Sequence, residues 1–596
     1  MPITDVADVA WDLSHLLDGK GEESLDGYLA RADALAERLA EWRGRVATFQ
    51  GSDLVAFMEE MAELEELAGR VQAYASLRFA TATSDPARGA LLQRVQERLT
   101  SVNTRLVFFD VEWAALSDER VTELLSADGL DFCRHHLQNA RRYRVHVLSE
   151  PEERLLTEKS VSGRSAWTRL FSQLTSSIQV DLGTGPVGLE EGLSELHNPD
   201  RSARQKAAEA VTTGLAPGLT TRAYIFNTLL LDKSVDDRLR HYDHWLASRN
   251  LANEASDESV QALVDAVRKR YDIPQRWYAL KARMLGLERL ADYDRLASVA
   301  EVDTTVDWAE AKGIVIDSYA SFSAEMSEVA ERFFRESWID APVRPGKRGG
   351  AFCSYTVPSV HPYVMLNYTS RPTDVLTLAH ELGHGLHAYL ARGQGPFHQS
   401  TPLTLAETAS VFGETVVFGR LLEAADTPGA RLSLLAANLD GQVATVFRQT
   451  AMNQFEGRTH RARRSEGELS VDRIGEIWAE TQTELLGDAV TITEGYRTWW
   501  SYIPHFINTP GYVYAYSYGQ LLALSVYRQY AEQGSDFVPR YLHLLSSGGS
   551  ERPEALARIV GCDLSDPGFW DGGLSIIETQ LEEAETVAHA AGRISQ

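Results

Sequence analysis

A mainly α-helical protein of two or more lobes, with a small sheet just ahead of residue 374, is the fold this sequence predicts. Three observations carry that expectation. The first 175 residues contain only Pro2, Pro86 and Pro151. Stretches such as LDGYLARADALAERLAEWRGRV and ARGALLQRVQERLTSVNTRLVFF place apolar residues three and four apart, the spacing of an amphipathic helix. A chain of 596 residues also exceeds the length at which one hydrophobic core stops growing.

Taken in order, the helical pattern first breaks at SIQVDLGTGPVGLE (177–190). Alternation around a Gly-Thr-Gly-Pro centre predicts a small hairpin there. Helical patterning resumes with SARQKAAEAVTTGLA. It breaks again over 345–372, PGKRGGAFCSYTVPSVHPYVMLNYTSRP, where glycine, proline, β-branched and aromatic residues predict two short strands. A helix over 374–392 follows, N-capped by Thr373 and ended by Gly393. There is no repeat of solenoid period and no low-complexity segment. The expected division is an N-terminal helical lobe over 1–200, including the hairpin, and a catalytic domain over 201–596.

Composition narrows the function. Hydrophobic residues make up 44% and charged residues 24%, ordinary for a globular chain. The net charge of −26 argues against nucleic acid or an anionic membrane as partner, because both require a basic footprint. The basic clusters RRYRVH (141–146) and RTHRARR (458–464) read as solvated helix faces. No segment approaches the roughly 20 apolar residues of a membrane span. The acidic start lacks the basic and apolar regions of a secretory signal. Three widely spaced cysteines, Cys133, Cys353 and Cys562, form neither a disulfide framework nor a zinc pattern. A cytoplasmic protein is expected.

The chemistry concentrates in TLAHELGHGLHAYL (377–390). Glycine within a helix costs roughly 1 kcal/mol relative to alanine, so two glycines among three histidines are not there for helix stability. At about 100° per residue, His380, His384 and His387 share one side, while Val375, Leu378, Leu382, Leu386 and Tyr389 form an apolar back. His380 and His384, one turn apart, can reach one metal ion. Glu381, rotated off the ligand line in H-E-x-x-H, can take a proton from water activated there. Gly383 and Gly385 leave room for another backbone or a substrate beside the ligands.

A catalytic zinc needs a third protein ligand and an open fourth position. A third histidine at the H-E-x-x-H-x-x-G-x-x-H spacing is excluded, because those two positions hold His387 and Leu390. The following helix, PLTLAETASVFGETVVFGRLLEA (402–424), offers Glu407. Thr404-x-x-Glu407 also fits a capping box. The ligand reading is preferred because Glu414 lies two turns along the same face. Glu414 either orients a ligand histidine or is a plain surface glutamate. His387 lies off the coordination geometry and is expected to pack or hydrogen-bond nearby. The expected cofactor is one zinc ion per chain.

With AHELGHGLHAYL followed by TPLTLAETASVFGET, the sequence resembles the M3 family of zinc metallopeptidases, in its oligoendopeptidase F branch. WDLSHLL, SYTVPSVHPYVMLNY, RQTAMNQFE, IPHFINTPGYVYAYSYG and YLHLLSSGGSERPEAL agree in order along essentially the whole chain. The resemblance implies a two-lobed helical ellipsoid with a deep substrate channel. It also implies zinc on His380, His384 and Glu407, Glu381 as general base, and hydrolysis of internal bonds in short peptides. It further implies that a histidine and tyrosines of YIPHFINTPGYVYAYSYGQ (502–520) donate hydrogen bonds to the oxyanion. His505 and Tyr512 are the first choices, with Tyr516 and Tyr518 as substitutes. Alternating aromatics fit a packed strand or loop equally well, and Gly519 stands where the thimet-type branch leads one to look for a tyrosine.

An exposed strand edge near HPYVMLNY (361–368) would pair with substrate backbone and give broad selectivity; a strand buried within the sheet fits the same residues. Two other classes of function stay open: a helical scaffold that binds peptides without hydrolysis, and a zinc hydrolase acting on a non-peptide amide. Glu381 between the histidines argues against the first, since binding alone needs no general base. The flanking resemblance argues against the second.

Overall fold

The computed structural model describes residues 5–183, 185–299, 305–566 and 568–594. The fold is mainly helical, with three small sheets among the described residues. Two compact units interleave along the chain. One comprises Met1–Glu150, Thr304–Leu421 and Val526–Asp563; the other comprises Pro151–Asp303, Leu422–Ser525 and Leu564–Gln596. No described helix is long and apolar enough to cross a membrane.

In the first unit, helices Leu25–Ala40, Gly51–Ala80 and Pro86–Ala115 pack against one another through the apolar stripes seen in the sequence. Stacked rings fill the seam: Phe57 on Phe109 at 4.6 Å and Phe109 on Trp113 at 6.1 Å. The third helix starts as its sequence dictates, with Asp85 accepting from the Ala87 N–H at 2.9 Å and Pro86 in the first helical position.

The same unit holds a three-stranded sheet. Tyr363–Tyr368 is its centre, parallel to Ile339–Pro342 and antiparallel to Phe352–Ser354. Tyr363, Val364 and Met365 are wholly buried, which explains the unbroken apolar run: a central strand is covered on both faces. The sheet edge near the motif therefore belongs to Phe352–Ser354, not to 361–368.

The motif helix spans Pro372–Ala391. Its cap is Arg371, not Thr373, because Pro372 suits the first helical position and Asp374 closes the end. The Asp374 carboxylate accepts from the N–H groups of Arg371 and Thr369 at 3.1 and 2.7 Å. At the other end the chain tightens into a 3₁₀ turn, Arg392–Gln394, so Gly393 lies within the turn and Gly395, at φ +75°, follows it.

In the second unit, Gln179–Asp181 pairs antiparallel with Pro186–Gly188, Val180 opposite Val187, at the site of the expected hairpin. Its core is aromatic: Phe226, Phe455, Trp478, Trp500 and Phe506 are buried together. Phe455 packs against Phe506 at 4.9 Å and edge-on to Trp478 at 5.3 Å. Helix Gln449–Glu466 contributes Phe455 to this core.

Candidate active site

Helix geometry alone brings the first two donors together. The His380 and His384 rings lie 5.0 Å apart and nearly perpendicular on the motif helix. The third donor arrives on helix Leu403–Ala424, and Gly383 is the reason it can. A Cβ on Gly383 would sit 2.5 Å from the Ala409 carbonyl oxygen and 2.6 Å from Ser410 Cα, so the second helix crosses where the first has no side chain. Gly385 makes room for the Phe333 ring in the same way. Both glycines thus admit protein rather than open space.

At this crossing, Glu407 Oε2 lies 3.3 Å from His380 Nε2 and 3.5 Å from His384 Nε2. These three residues form the group able to hold a metal ion among the described residues. Donors about 2.0–2.1 Å from a tetrahedral ion are roughly 3.3–3.5 Å apart, so the donor set fits zinc. Burial raises the Glu407 carboxyl, but the His380 hydrogen bond and the charges of His384 and His380 hold it down at about 2. Ser410 Oγ donates to Oε2 at 2.7 Å.

Each imidazole is oriented from behind. Burial disfavours a charged His380, yet its contacts with Glu407 and Glu414 raise it well above the ordinary histidine range. Glu414 Oε2 stands 3.1 Å from His380 Nδ1, within hydrogen-bond reach of that ring. His384 is pushed down to about 4 by burial, and its ring N–H reaches the Ala406 carbonyl. The Tyr355 hydroxyl lies 3.5 Å from His384 Nδ1.

Glu381 is 7% exposed, between the ligands but outside their group. Burial pushes its carboxyl up to about 7, His380 and the Cys353 N–H pull it back, and Glu407 adds to the rise. That value suits a group that must accept and return a proton near neutrality. His387 is buried, held neutral by burial and by the nearby His384, and lies outside the donor group.

Sequence reasoning missed Tyr355, Ser410 and the Cys353 N–H. Ser410 had a signal, its place one turn after Glu407. Tyr355 had none, because only tertiary structure carries it to His384. Thr356, the next residue, has φ +58°, an uncommon conformation for a β-branched side chain; its hydroxyl donates to the His361 carbonyl at 2.9 Å.

The aromatic segment belongs to the second unit. A short helix His505–Asn508 is followed by a turn and then by helix Tyr514–Gln533. The helical period sorts the alternating tyrosines. Tyr514 and Tyr518, one turn apart, are wholly buried; Asn253 Nδ2 donates to the Tyr514 hydroxyl at 2.9 Å, and Ser259 Oγ lies 3.0 Å from that of Tyr518. Tyr518 is therefore a core residue. Tyr512 and Tyr516 are half-buried and gather with His505: His505 Nε2 to Tyr516 hydroxyl is 3.3 Å, and the Tyr512 and Tyr516 rings meet edge-on at 5.0 Å. His505 is pushed down by burial and then by Arg448, so it stays neutral.

Known proteins resemble this chain in sequence and in fold along most of its length. The sequence pattern of Peptidase family M3 matches residues 194–575, and that of Oligopeptidase F matches residues 112–179. Oligopeptidase PepF of Bacillus subtilis is 25% identical over 594 residues, covering 97% of this chain and 87% of its own length. Group B oligopeptidase PepB of Streptococcus agalactiae is 26% identical, covering 90% of each chain. The fold matches a Chlamydophila abortus crystal structure with a TM-score of 0.85 at 23% identity, covering 98% of this chain and 99% of the other. It also matches oligoendopeptidase-F from Enterococcus faecium, with a TM-score of 0.72 at 22% identity over 95% and 99%. The chain belongs to peptidase family M3, in its oligoendopeptidase F branch, and is a metalloendopeptidase.

Proposed function

We propose that the protein is a zinc-dependent oligopeptidase that hydrolyses internal bonds of short peptides. The observation that carries this reading is the buried trio His380, His384 and Glu407 with Glu381 beside it. In this reading the trio holds one zinc ion, and Glu414 and Tyr355 fix the rings of the two histidines. Zinc, when bound, supplies Lewis-acid polarisation of the scissile carbonyl and draws the pKa of water towards ~7. The Glu381 carboxylate accepts a proton from the attacking water and delivers it to the departing amine nitrogen. His505 and Tyr512, with Tyr516 beside them, supply hydrogen bonds to the oxyanion and the substrate. Their clustering in one half-buried patch supports that role, and Tyr518, buried against Trp570, takes no part in it.

Short peptides as substrates are supported by the relatives, which are oligopeptidases by name. The strand Phe352–Ser354, at the sheet edge, supports pairing with substrate backbone and hence broad selectivity. The match to Peptidase family M3 over 194–575 supports placing the catalytic region within 201–596, whereas residues 1–150 pack in one compact unit with the motif helix. Three free cysteines support a reducing, cytoplasmic setting.

Product mapping by mass spectrometry on peptides of graded length tests the reading. It expects internal cuts, an upper limit on substrate length, and loss of cleavage with a zinc chelator. Cleavage confined to chain ends, or undiminished on folded proteins, contradicts it.

A further inference from the structure

The residues that hold zinc are braced by their own helices, but Tyr512 sits on a turn, and something must fix that turn. Between the short helix His505–Asn508 and Tyr514 the backbone folds back on itself: Thr509 N donates to the His505 carbonyl at 3.0 Å, and Tyr512 N to the Thr509 carbonyl at 3.1 Å. Gly511, the residue just before Tyr512, has φ +73°. A Cβ there would lie 2.6 Å from Leu246 Cδ1. The turn is thus pressed against the segment around Leu246 and open to glycine alone.

The N–H of Gly511 donates at 2.9 Å to Glu456 Oε1, a carboxyl on helix Gln449–Glu466 that is 1% exposed. Beside it, Arg249 Nε donates to the Pro510 carbonyl at 3.5 Å. The two bonds take the C=O and the N–H of the single peptide group joining Pro510 to Gly511 and tie it to two different helices, Gln449–Glu466 and Ala247–Ala252. Among the described residues Glu456 Oε2 is buried with no hydrogen-bond partner. A carboxyl buried at such cost for one backbone N–H is a poor choice for packing alone.

We propose that Glu456 is a positioning residue for catalysis: by holding the Gly511 N–H, with Arg249 on Pro510, it clamps the turn that sets Tyr512 beside His505. This rests on the reading of His505 and Tyr512 as substrate-facing donors. Glu456 itself touches no substrate. Its carboxyl acts as a hydrogen-bond acceptor, a task that the carbonyl oxygen of a glutamine performs as well.

The test compares Glu456→Gln, Glu456→Met and Arg249→Met in the full chain, with Tyr512→Phe as reference. Steady-state cleavage of a fluorogenic peptide is measured together with metal content and hydrogen exchange of the peptide spanning 505–513. Glu456→Met is expected to lose about tenfold or more in kcat, since small displacements of a catalytic group are costly. Its KM and metal content should hold while 505–513 exchanges faster. Glu456→Gln should restore both, and that rescue separates a hydrogen-bonding role from general loss of packing. Should Glu456→Met fail to fold, Arg249→Met is expected to show the same split with a smaller loss. Full activity in Glu456→Met while Tyr512→Phe is impaired overturns the clamp alone. So does equal damage in the Gln and Met variants. Full activity in Tyr512→Phe overturns the reading of Tyr512, and the positioning role with it.

Discussion

The metal centre and the Gly511 turn are each organised around a buried glutamate, and the two behave oppositely. Glu407 is met by two histidines and a serine hydroxyl, and it is held at about 2. Glu456 meets one backbone N–H and the more distant charge of Arg249, and burial pushes it up to about 8. Burial raises both carboxyls; the neighbours decide the outcome. A carboxyl ringed by donors and cations is a charged ligand, whereas one in an apolar shell is a neutral strut. Glu381 lies between them at about 7, where burial is only partly offset by His380.

The largest expected effect separates chemistry from scaffold. Glu381→Gln should bind zinc stoichiometrically and keep its melting temperature while losing about 10²–10⁴-fold in kcat. Near-normal turnover would remove Glu381 from the role of base.

Next, Glu414→Gln weakens the hold on His380 Nδ1 and should cost about 10–100-fold in zinc affinity, read by competition with a chelator. Unchanged affinity would make the 3.1 Å contact incidental.

Gly383→Ala sharpens the comparison on the structural side. Its methyl group must displace the Ala409 carbonyl, so a loss of about 1–3 kcal/mol in stability is expected from denaturant unfolding, together with weaker metal binding as Glu407 is moved away. Wild-type behaviour in both would refute the close crossing.

The remaining effect concerns Glu456 and is read as a pH dependence of stability. Its carboxyl is raised in the folded chain from an ordinary 4.5 to about 8. The contribution of the neutral form is therefore complete below pH 4.5 and is lost as pH rises through about 8. The charge of Arg249 acts on Glu456 across the site, and burial holds His460, one turn along the same helix, well below the ordinary histidine range. Relative to wild type, Glu456→Gln should thus gain stability as pH rises from 4.5 to 8. A parallel pair of stability curves would contradict the neutral strut.

What the sequence made legible follows from how each feature is built. His380, His384 and Glu381 are related by one helical turn, a spacing that sequence expresses directly. Glu407 was reachable because a catalytic metal site of this kind calls for a third donor and few candidates followed; the structure places it beside both histidines. The glycines of the motif stood out as anomalies, yet what each admits, the Ala409 backbone for one and Phe333 for the other, depends on partners distant in sequence. Thr373 was misread as the cap because a hydroxyl is the commoner signal, while Pro372 and Asp374 together impose the boundary one step earlier. The tyrosines defeated spacing altogether: alternation suggested a strand or loop, and the helix beginning at Tyr514 placed 514 and 518 inward and left 512 and 516 with His505. Glu456 gave no signal at all, since a glutamate in RQTAMNQFE reads as one more polar helix residue until Gly511 is found against it.

Anomalous diffraction at the zinc edge from crystals of the wild-type chain tests the central claim most directly. The account predicts a single strong peak bonded to His380 Nε2, His384 Nε2 and Glu407 Oε2, with the Glu381 carboxylate facing it and not bonded to it. A peak elsewhere, or a zinc ion that Glu407 turns away from, would contradict it.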